Sequence, residues 1–304
     1  MKLFTKLLCP VLLFLLSVAC SKDPDEEQSQ PNIEVDCLEG CLPGVFSVSE
    51  TKTVRFSQGN LQYSIIGTHR CADDTSLTGT WRFAANQYDY IGRANEDNSG
   101  SDISWIDLFG WGTSGYNNCI PQLHSTNNSD YGALGCNNLT ESNANYDWGV
   151  YNAISNGGNE VGKWRTLTKD EWEYLLNNRA NASSKCGHAT VNGVNGVVLL
   201  PDSWTLPENC TFIAGHDSWW TTNVYTEEQW EAMEAKGALF LPDAGYRYGT
   251  TDGVFTGDMG GGGYYWTSTV EGSSYAYGLY FFSHNIYPDY DCRNSCLSVR
   301  LVCE

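Results

Sequence analysis

Short runs in which apolar and polar residues alternate recur along this chain and predict strands. Residues 53–56 (TVRF) alternate as a half-buried strand does. Near the C-terminus, residues 264–269 and 276–282 are strand-like, and residues 297–303 predict a closing strand. The polar residues between the last two runs, 283–295, predict a loop that is dense in Tyr, Asp, Asn and His.

Two capping boxes predict the two main helices. In the first, the Thr168 hydroxyl accepts the backbone N–H of Glu171, whose side chain reaches back to the Thr168 N–H. Thr226 and Gln229 repeat this pattern, and Gly237 is typical of a helix stop. Long helical periodicity is scarce elsewhere, which favours short strands held by loops.

The N-terminus has the composition of a targeting segment. Two lysines precede an apolar run, residues 7–19, that is too short to cross a bilayer, so residues 1–19 predict a signal peptide. Its end, LSVAC, resembles the lipobox of bacterial lipoproteins, which implies a lipid on Cys20 and a membrane attachment through that anchor only. An ordinary secretory signal cleaved nearby is the alternative.

Residues 20–36 are acidic, polar and contain proline, which predicts a disordered tether. The acidic cluster after Cys20 also resembles the surface-export signal of Bacteroidetes lipoproteins, and this implies a lipid-anchored outer-membrane protein on the cell surface. No second linker interrupts residues 37–304, so we expect one domain there.

The net charge indicates which partners the protein disfavours, and the cysteine content indicates whether it contains disulfides. Loss of the two signal lysines changes the formal charge from −19 to −21, which disfavours nucleic acid as a partner. Of the twelve cysteines, Cys9 lies in the predicted signal peptide and Cys20 is the predicted lipidation site, so ten remain in the domain. An even number of cysteines in an exported protein predicts disulfides. The bridges expected first are Cys37–Cys41, Cys119–Cys136 and one that includes Cys303.

Several segments, in order, resemble a known family. Residues 165–174 (RTLTKDEWEY) resemble the helix-opening signature of formylglycine-generating enzymes, also called sulfatase-modifying factors. Residues 242–247 (PDAGYR), 265–269 (YWTST) and 298–302 (SVRLV) resemble landmarks of the Fibrobacter succinogenes major paralogous domain of Bacteroidetes surface lipoproteins. The resemblance implies an α+β, C-type-lectin-like fold of the sulfatase-modifying-factor type, with short mixed strands, two main helices and long loops.

The catalytic motif of that enzyme family is not matched. Its members oxidise a substrate cysteine with a copper-binding cysteine pair, whereas Cys292 and Cys296 differ from that motif in spacing and neighbours. A disulfide is the expected fate of these two residues in an exported chain. The five histidines form no H-E-x-x-H motif, and no G-x-S-x-G elbow is present. We therefore expect no catalysis, with an oxidase or another enzyme on the same scaffold as the alternative.

A structural calcium ion is the one cofactor that the sequence leaves open. Asn95, Asp97 and Ser99 follow the start of an EF-hand loop, but Ile106 replaces the bidentate glutamate at its last position. A solvated acidic loop is the alternative interpretation of this segment, and no other cofactor is predicted.

The segment 283–295 has the composition of a binding surface. Tyrosine gives a large contact area at low entropic cost, and Asn, Ser and Asp give adaptable hydrogen bonds. The sequence thus predicts a non-catalytic domain that binds a glycan or a host or bacterial surface protein, with an ordinary hydrophilic loop as the alternative. A retroelement-diversified binding protein is a further alternative. The candidate ligand-binding residues are His284, Asn285, Tyr287, Asp289, Tyr290, Asp291, Arg293 and Asn294.

Overall fold

A computed structural model describes residues 39–64, 79–96, 105–121, 131, 135–215, 219–250 and 253–304. These residues belong to one compact unit, Asp36–Glu304. The predicted signal peptide, Cys20, the tether and Cys37 lie outside the described residues, as do the calcium candidates Asp97 and Ser99.

The fold is α+β and consists mostly of strands. The helices are α1 (Trp148–Tyr151), α2 (Lys169–Glu173), which continues into a π-helical turn (Tyr174–Asn178), and α3 (Glu227–Ala235). Short 3-10 turns are Gly92–Glu96, Tyr116–Asn118, Glu141–Tyr146, Ala182–Ser184 and Trp220–Thr222. The strands are β1 (Phe46–Ser47), β2 (Thr53–Phe56), β3 (Leu61–Ser64), β4 (Thr80–Phe83), β5 (Arg165–Thr166), β6 (Cys186–Val191), β7 (Val194–Leu199), β8 (Val224–Tyr225), β9 (Leu239–Pro242), β10 (Tyr246–Thr250), β11 (Gly253–Gly257), β12 (Gly262–Glu271), β13 (Tyr275–Phe282), β14 (Asn285–Cys292) and β15 (Leu301–Cys303).

Two sheets join distant parts of the sequence. One has the order β1-β2-β15-β5, so the closing strand pairs with β2 through Val302 and Phe56. The other, β8-β6-β7-β9, includes one parallel pair, β6 with β8. A three-stranded antiparallel sheet, β12-β13-β14, and the hairpins β3-β4 and β10-β11 complete the described strands.

Both predicted capping boxes are confirmed. The Thr168 Oγ1 accepts from the Glu171 N–H at 3.1 Å, and Glu171 Oε2 accepts from the Thr168 N–H at 2.9 Å. Thr226 and Gln229 form the same pair of bonds at the start of α3, at 3.3 and 3.0 Å. Gly237 follows α3 with φ of 93°, a backbone conformation that glycine adopts without strain.

The three-stranded sheet lies against the core. Trp266, Phe281 and Val299, which the sequence assigns to the core, are all buried. The Trp266 indole N–H donates to the Phe109 carbonyl at 2.7 Å, so its one polar atom is satisfied. On the other face of the sheet, Leu279 and Phe281 share an apolar cluster with Trp172 of α2.

The prediction of a loop over residues 283–295 is wrong. Asn285–Cys292 form β14, and every residue of this strand pairs with β13. Ser283 and His284 form the turn that precedes β14, Arg293 and Asn294 form the turn that follows it, and His284 has φ of 76°. The proline within the segment is compatible with a strand because, among the described residues, β14 pairs on one side only, and edge strands tolerate proline.

The cysteine predictions also need correction. Cys119 is buried, Cys136 is exposed, and both are free thiols, so their predicted bridge is not formed. Cys292 is a free thiol as well, so the expected disulfide between Cys292 and Cys296 is not formed. In the described part of the chain, no helix is long and apolar enough to cross a membrane.

Candidate functional site

The strand register of the three-stranded sheet aligns three tyrosines. Tyr264 pairs with Tyr280, and Tyr280 pairs with Tyr287. Side chains two residues apart on a strand point to the same face, so Asp289 and Asp291 continue the face of Tyr287 along β14. We call these five residues the tyrosine–aspartate face. They come from three strands that are separated in sequence and brought together by pairing.

The aromatic surface extends onto the β10-β11 hairpin. The rings of Tyr264 and Tyr280 meet edge to face at 5.2 Å, and those of Tyr264 and Tyr246 do so at 5.4 Å. From Tyr246 the contacts run to Tyr248 at 5.8 Å and on to Phe255 at 5.9 Å. Tyr248 and Phe255 are exposed, so this aromatic strip begins in the core and ends at solvent.

Two hydroxyl groups on this face differ in their partners. The Tyr264 hydroxyl donates to Asp258 Oδ2 at 2.7 Å. The Tyr280 side chain is 7% exposed, and its hydroxyl has no hydrogen-bond partner among the described residues. An unpaired buried polar group costs about 1–3 kcal/mol, which a polar atom of a ligand or a water molecule would recover.

The carboxylates give the face its electrostatic character. Burial raises the pKa of Tyr280, and the negative charges of Asp291 and Asp289 raise it further. Burial also raises the pKa of Asp291, although the Cys292 backbone N–H opposes this by donating to the carboxylate at 2.6 Å. Asp291 contributes in addition to the raised pKa of Tyr246, where burial is the main cause. The exposed part of the face thus combines the Tyr287 ring with carboxylate oxygens.

The structure separates the residues that the sequence grouped together. Asn285, Tyr287, Asp289 and Asp291 share one face of β14, as the alternation of a strand requires. Tyr290 lies on the opposite face, where its ring contacts Tyr275 at 5.6 Å and Tyr277 at 5.9 Å. Tyr290 is therefore not part of the tyrosine–aspartate face.

Three predicted residues lie outside the strand. His284 occupies the turn, where its ring meets that of Trp219 at 3.9 Å, and Asn294 is half-buried beyond β14. Arg293 is wrong as a surface residue because its exposure is 0%. Its guanidinium donates to the carbonyls of Gly135 at 2.6 Å and Gly272 at 3.0 Å, which makes it a structural cross-link between loops.

Sequence reasoning missed the residues that the hairpin and β12 contribute. Tyr246 and Tyr248 alternate with Arg247, and Phe255 follows within the next short run, which is a hairpin pattern. That alternation was the available signal. Tyr264 and Tyr280 were assigned to strands, but their position opposite Tyr287 depends on pairing that local sequence does not specify.

Asn95, the described member of the calcium candidates, belongs to a hydrogen-bond network. Its amide donates to Asp107 Oδ1 at 2.8 Å, and its oxygen accepts from the Asp107 backbone N–H at 3.0 Å. Across the residues that the structure describes, no group of three or more His, Cys, Asp or Glu side chains is placed to hold a metal ion.

The comparisons with known proteins give one match. Residues 215–302 match the family model of a domain of unknown function, DUF8237. This segment includes α3 and contains every residue of the tyrosine–aspartate face. No curated protein matches the chain, and no solved structure matches it. The chain is thus similar, over this segment, to a family whose function is not described.

Proposed function

We propose that this protein is a cell-surface lipoprotein whose domain, residues 37–304, binds a glycan without catalysis. The observation that carries the proposal is the exposed ring of Tyr287, which lies beside Asp289 and Asp291 at the end of the row Tyr264–Tyr280–Tyr287, whose first two rings are buried. Aromatic rings stack on the C–H faces of sugar rings, and carboxylates accept hydrogen bonds from sugar hydroxyls. Binding sites typically combine apolar surface with a few placed polar groups in this way.

The charge of the protein selects the class of glycan. The mature chain carries a formal charge of −21, and two carboxylates lie on the proposed face. An anionic sugar would lose binding energy to repulsion. The ligand we propose is therefore a neutral glycan.

The proposed location and family rest on the resemblances in the sequence. The lipobox-like LSVAC and the acidic residues after it support lipidation at Cys20 and display on the outer membrane. The segments PDAGYR, YWTST and SVRLV support a C-type-lectin-like fold of the kind found in Bacteroidetes surface lipoproteins. A surface location would give the tyrosine–aspartate face access to external glycans.

A glycan array followed by calorimetric titration of the hits tests this function. Tyr287→Ala is expected to weaken binding by on the order of tenfold, since about 1.4 kcal/mol of lost stacking corresponds to that factor. Asp289→Asn should also weaken binding, without changing the fold. Tyr290→Ala is the matched control. Tyr290 lies on the same strand as Tyr287 and is also exposed (50%, against 38% for Tyr287), but its side chain points to the opposite face of the sheet.

Three results would contradict the proposal. The first is an array on which no neutral glycan binds. The second is equal affinity for the Tyr287→Ala variant and the unmodified protein, and the third is an equal loss of affinity for Tyr287→Ala and Tyr290→Ala. Parallel arrays with and without EDTA report whether a divalent cation takes part in binding.

A further inference from the structure

We propose that Cys41 and Cys303 form a disulfide that fastens the start of the domain to its last strand. Cys303 ends β15 and pairs with Arg55 of β2. Cys41 forms a β-bridge with Ser57, two residues further along the same chain segment. The two cysteines therefore lie beside β2, although 262 positions separate them in sequence.

Cys41 and Cys303 are free thiols in this structure, but their sulfur atoms are already in contact. Cys41 Sγ and Cys303 Sγ are 2.7 Å apart, which is closer than two non-bonded sulfur atoms normally approach. A covalent bond needs about 2.05 Å, so a small side-chain movement suffices to form it. Cys303 is buried in the apolar cluster that includes Trp164, and Cys41 packs against the same cluster. The prediction of a bridge that includes Cys303 thus acquires a specific partner.

The surroundings favour the chemistry of disulfide formation. The hydrogen bond between the two thiols lowers the pKa of Cys303 against the opposing effect of burial, and the positive charges of Lys163 and Arg55 lower it further. The thiolate is the nucleophile in thiol–disulfide exchange, so Cys303 is the attacking group. Cys303 also lines, together with Lys163 and Arg165, a surface cavity of about 430 Å³.

The oxidant that we infer is the disulfide of a thiol–disulfide oxidoreductase, the class that acts on exported proteins. The Cys303 thiolate attacks one sulfur of the donor and displaces the other as a thiolate, which forms a mixed disulfide. Cys41, after losing its proton, attacks the Cys303 sulfur and releases the donor as a dithiol. Overall, the two cysteines lose two protons and two electrons, and the donor gains both.

The bond would lie where the chain enters the domain. Residue 41 lies five positions after the end of the predicted tether, residues 20–36, and β15 lies between β2 and β5. A pull on the lipid-anchored tether would then be transmitted to an internal strand of a four-stranded sheet. This mechanical consequence rests on the proposed lipid anchor, whereas the disulfide itself does not.

Peptide mapping of the full-length protein tests the bond directly. The protein is purified from the cell envelope with free thiols blocked by N-ethylmaleimide, and it is then digested with trypsin and a glutamate-specific protease without reduction. Cleavage after Glu39 separates Cys37 from Cys41, and cleavage after Arg300 separates Cys303 from Cys292 and Cys296. The expected product is a linked pair of peptides, residues 40–50 and 301–304, that disappears on reduction.

Two outcomes would overturn the proposal: both peptides carry N-ethylmaleimide, or either is linked to a different cysteine. Single variants give an independent measurement. After unfolding in urea without reduction, Cys41→Ser should leave Cys303 open to N-ethylmaleimide, whereas Cys119→Ser, a control at a free thiol, should leave Cys303 unmodified. Equal modification of Cys303 in the unaltered protein and in Cys41→Ser would also refute the bond. Failure of glycan binding would not affect this result, so the two proposals fail separately.

Discussion

Replacing Asp243 by asparagine is expected to remove most of the pH dependence of stability between pH 6 and pH 8. Asp243 follows β9 and is completely buried. Among the described residues, neither of its carboxylate oxygens has a hydrogen-bond partner. Burial raises the pKa of Asp243 to about 8, because a charged carboxylate is poorly solvated there.

The sign of the effect follows from proton counting. In the unfolded chain, Asp243 titrates near its ordinary pKa of about 3.9, so it is ionised above pH 5. The folded protein keeps this proton up to about pH 8. Between these values the unfolded state binds fewer protons, so stability falls as pH rises. One proton corresponds to about 1.4 kcal/mol per pH unit, which gives a loss of about 2 kcal/mol from pH 6 to pH 8.

The range from pH 6 to pH 8 is chosen because two other buried carboxyl groups titrate at lower pH. Burial raises the pKa values of Asp107 and Asp147 to about 6, so these groups contribute mainly below pH 6. Asp107→Asn is therefore a matched control. It should change the slope of stability against pH below pH 6 and retain the slope between pH 6 and pH 8.

Urea unfolding at half-unit steps from pH 5 to pH 8 provides the assay, with the free energy of unfolding taken from the midpoint and the m-value. Asp243→Asn should give a nearly flat profile above pH 6, while the unmodified protein loses about 2 kcal/mol. If both proteins showed the same slope, the Asp243 carboxyl would be ionised in the folded state, and the argument from burial would be refuted.

Three further variants test the fold by urea or thermal unfolding. Thr168→Ala removes a capping box and should cost about 1 kcal/mol, and a much smaller loss would mean that α2 depends on packing alone. Trp266→Ala removes a buried indole and its 2.7 Å hydrogen bond, for an expected loss of about 3–5 kcal/mol; a loss under 1 kcal/mol would contradict its core position. The double variant Cys41→Ser, Cys303→Ser should lose about 5 kcal/mol in oxidising buffer, by loop-closure entropy, and little in reducing buffer. Equal losses in both buffers would indicate lost packing instead of a lost bond.

The local elements were predictable from sequence because each depends on neighbouring residues. The capping boxes at Thr168 and Thr226 involve groups three positions apart, and the sequence places both helix starts correctly. The strand-like runs 264–269 and 276–282 lie within β12 and β13. They were predictable because runs of apolar residues are typical of strands in a buried sheet. Burial of Trp266 follows from the same pattern.

The candidate site was only partly predictable because its geometry depends on pairing. Residues 283–295 were recognised by composition, but that composition suits an exposed loop and an edge strand equally well. Arg293 shows the limit most clearly, since its burial depends on the carbonyls of Gly135 and Gly272, which no local pattern associates with it. Cys41 and Cys303 likewise meet only because β15 returns to β2.

The register of β14 connects the fold with the proposed function. A shift of one residue would exchange the two faces, bringing Tyr290 to the ligand side and turning Tyr287 and Asp289 away. Pairing with all eight residues of β13 holds the observed register. β14 is an edge strand among the described residues, and its Pro288 lacks an N–H donor for pairing with another strand. The negative charges of Asp289 and Asp291 would in addition repel a second copy of the strand. The same carboxylates that we propose to bind sugar hydroxyls therefore also oppose edge-to-edge association, which would leave the face open to its ligand.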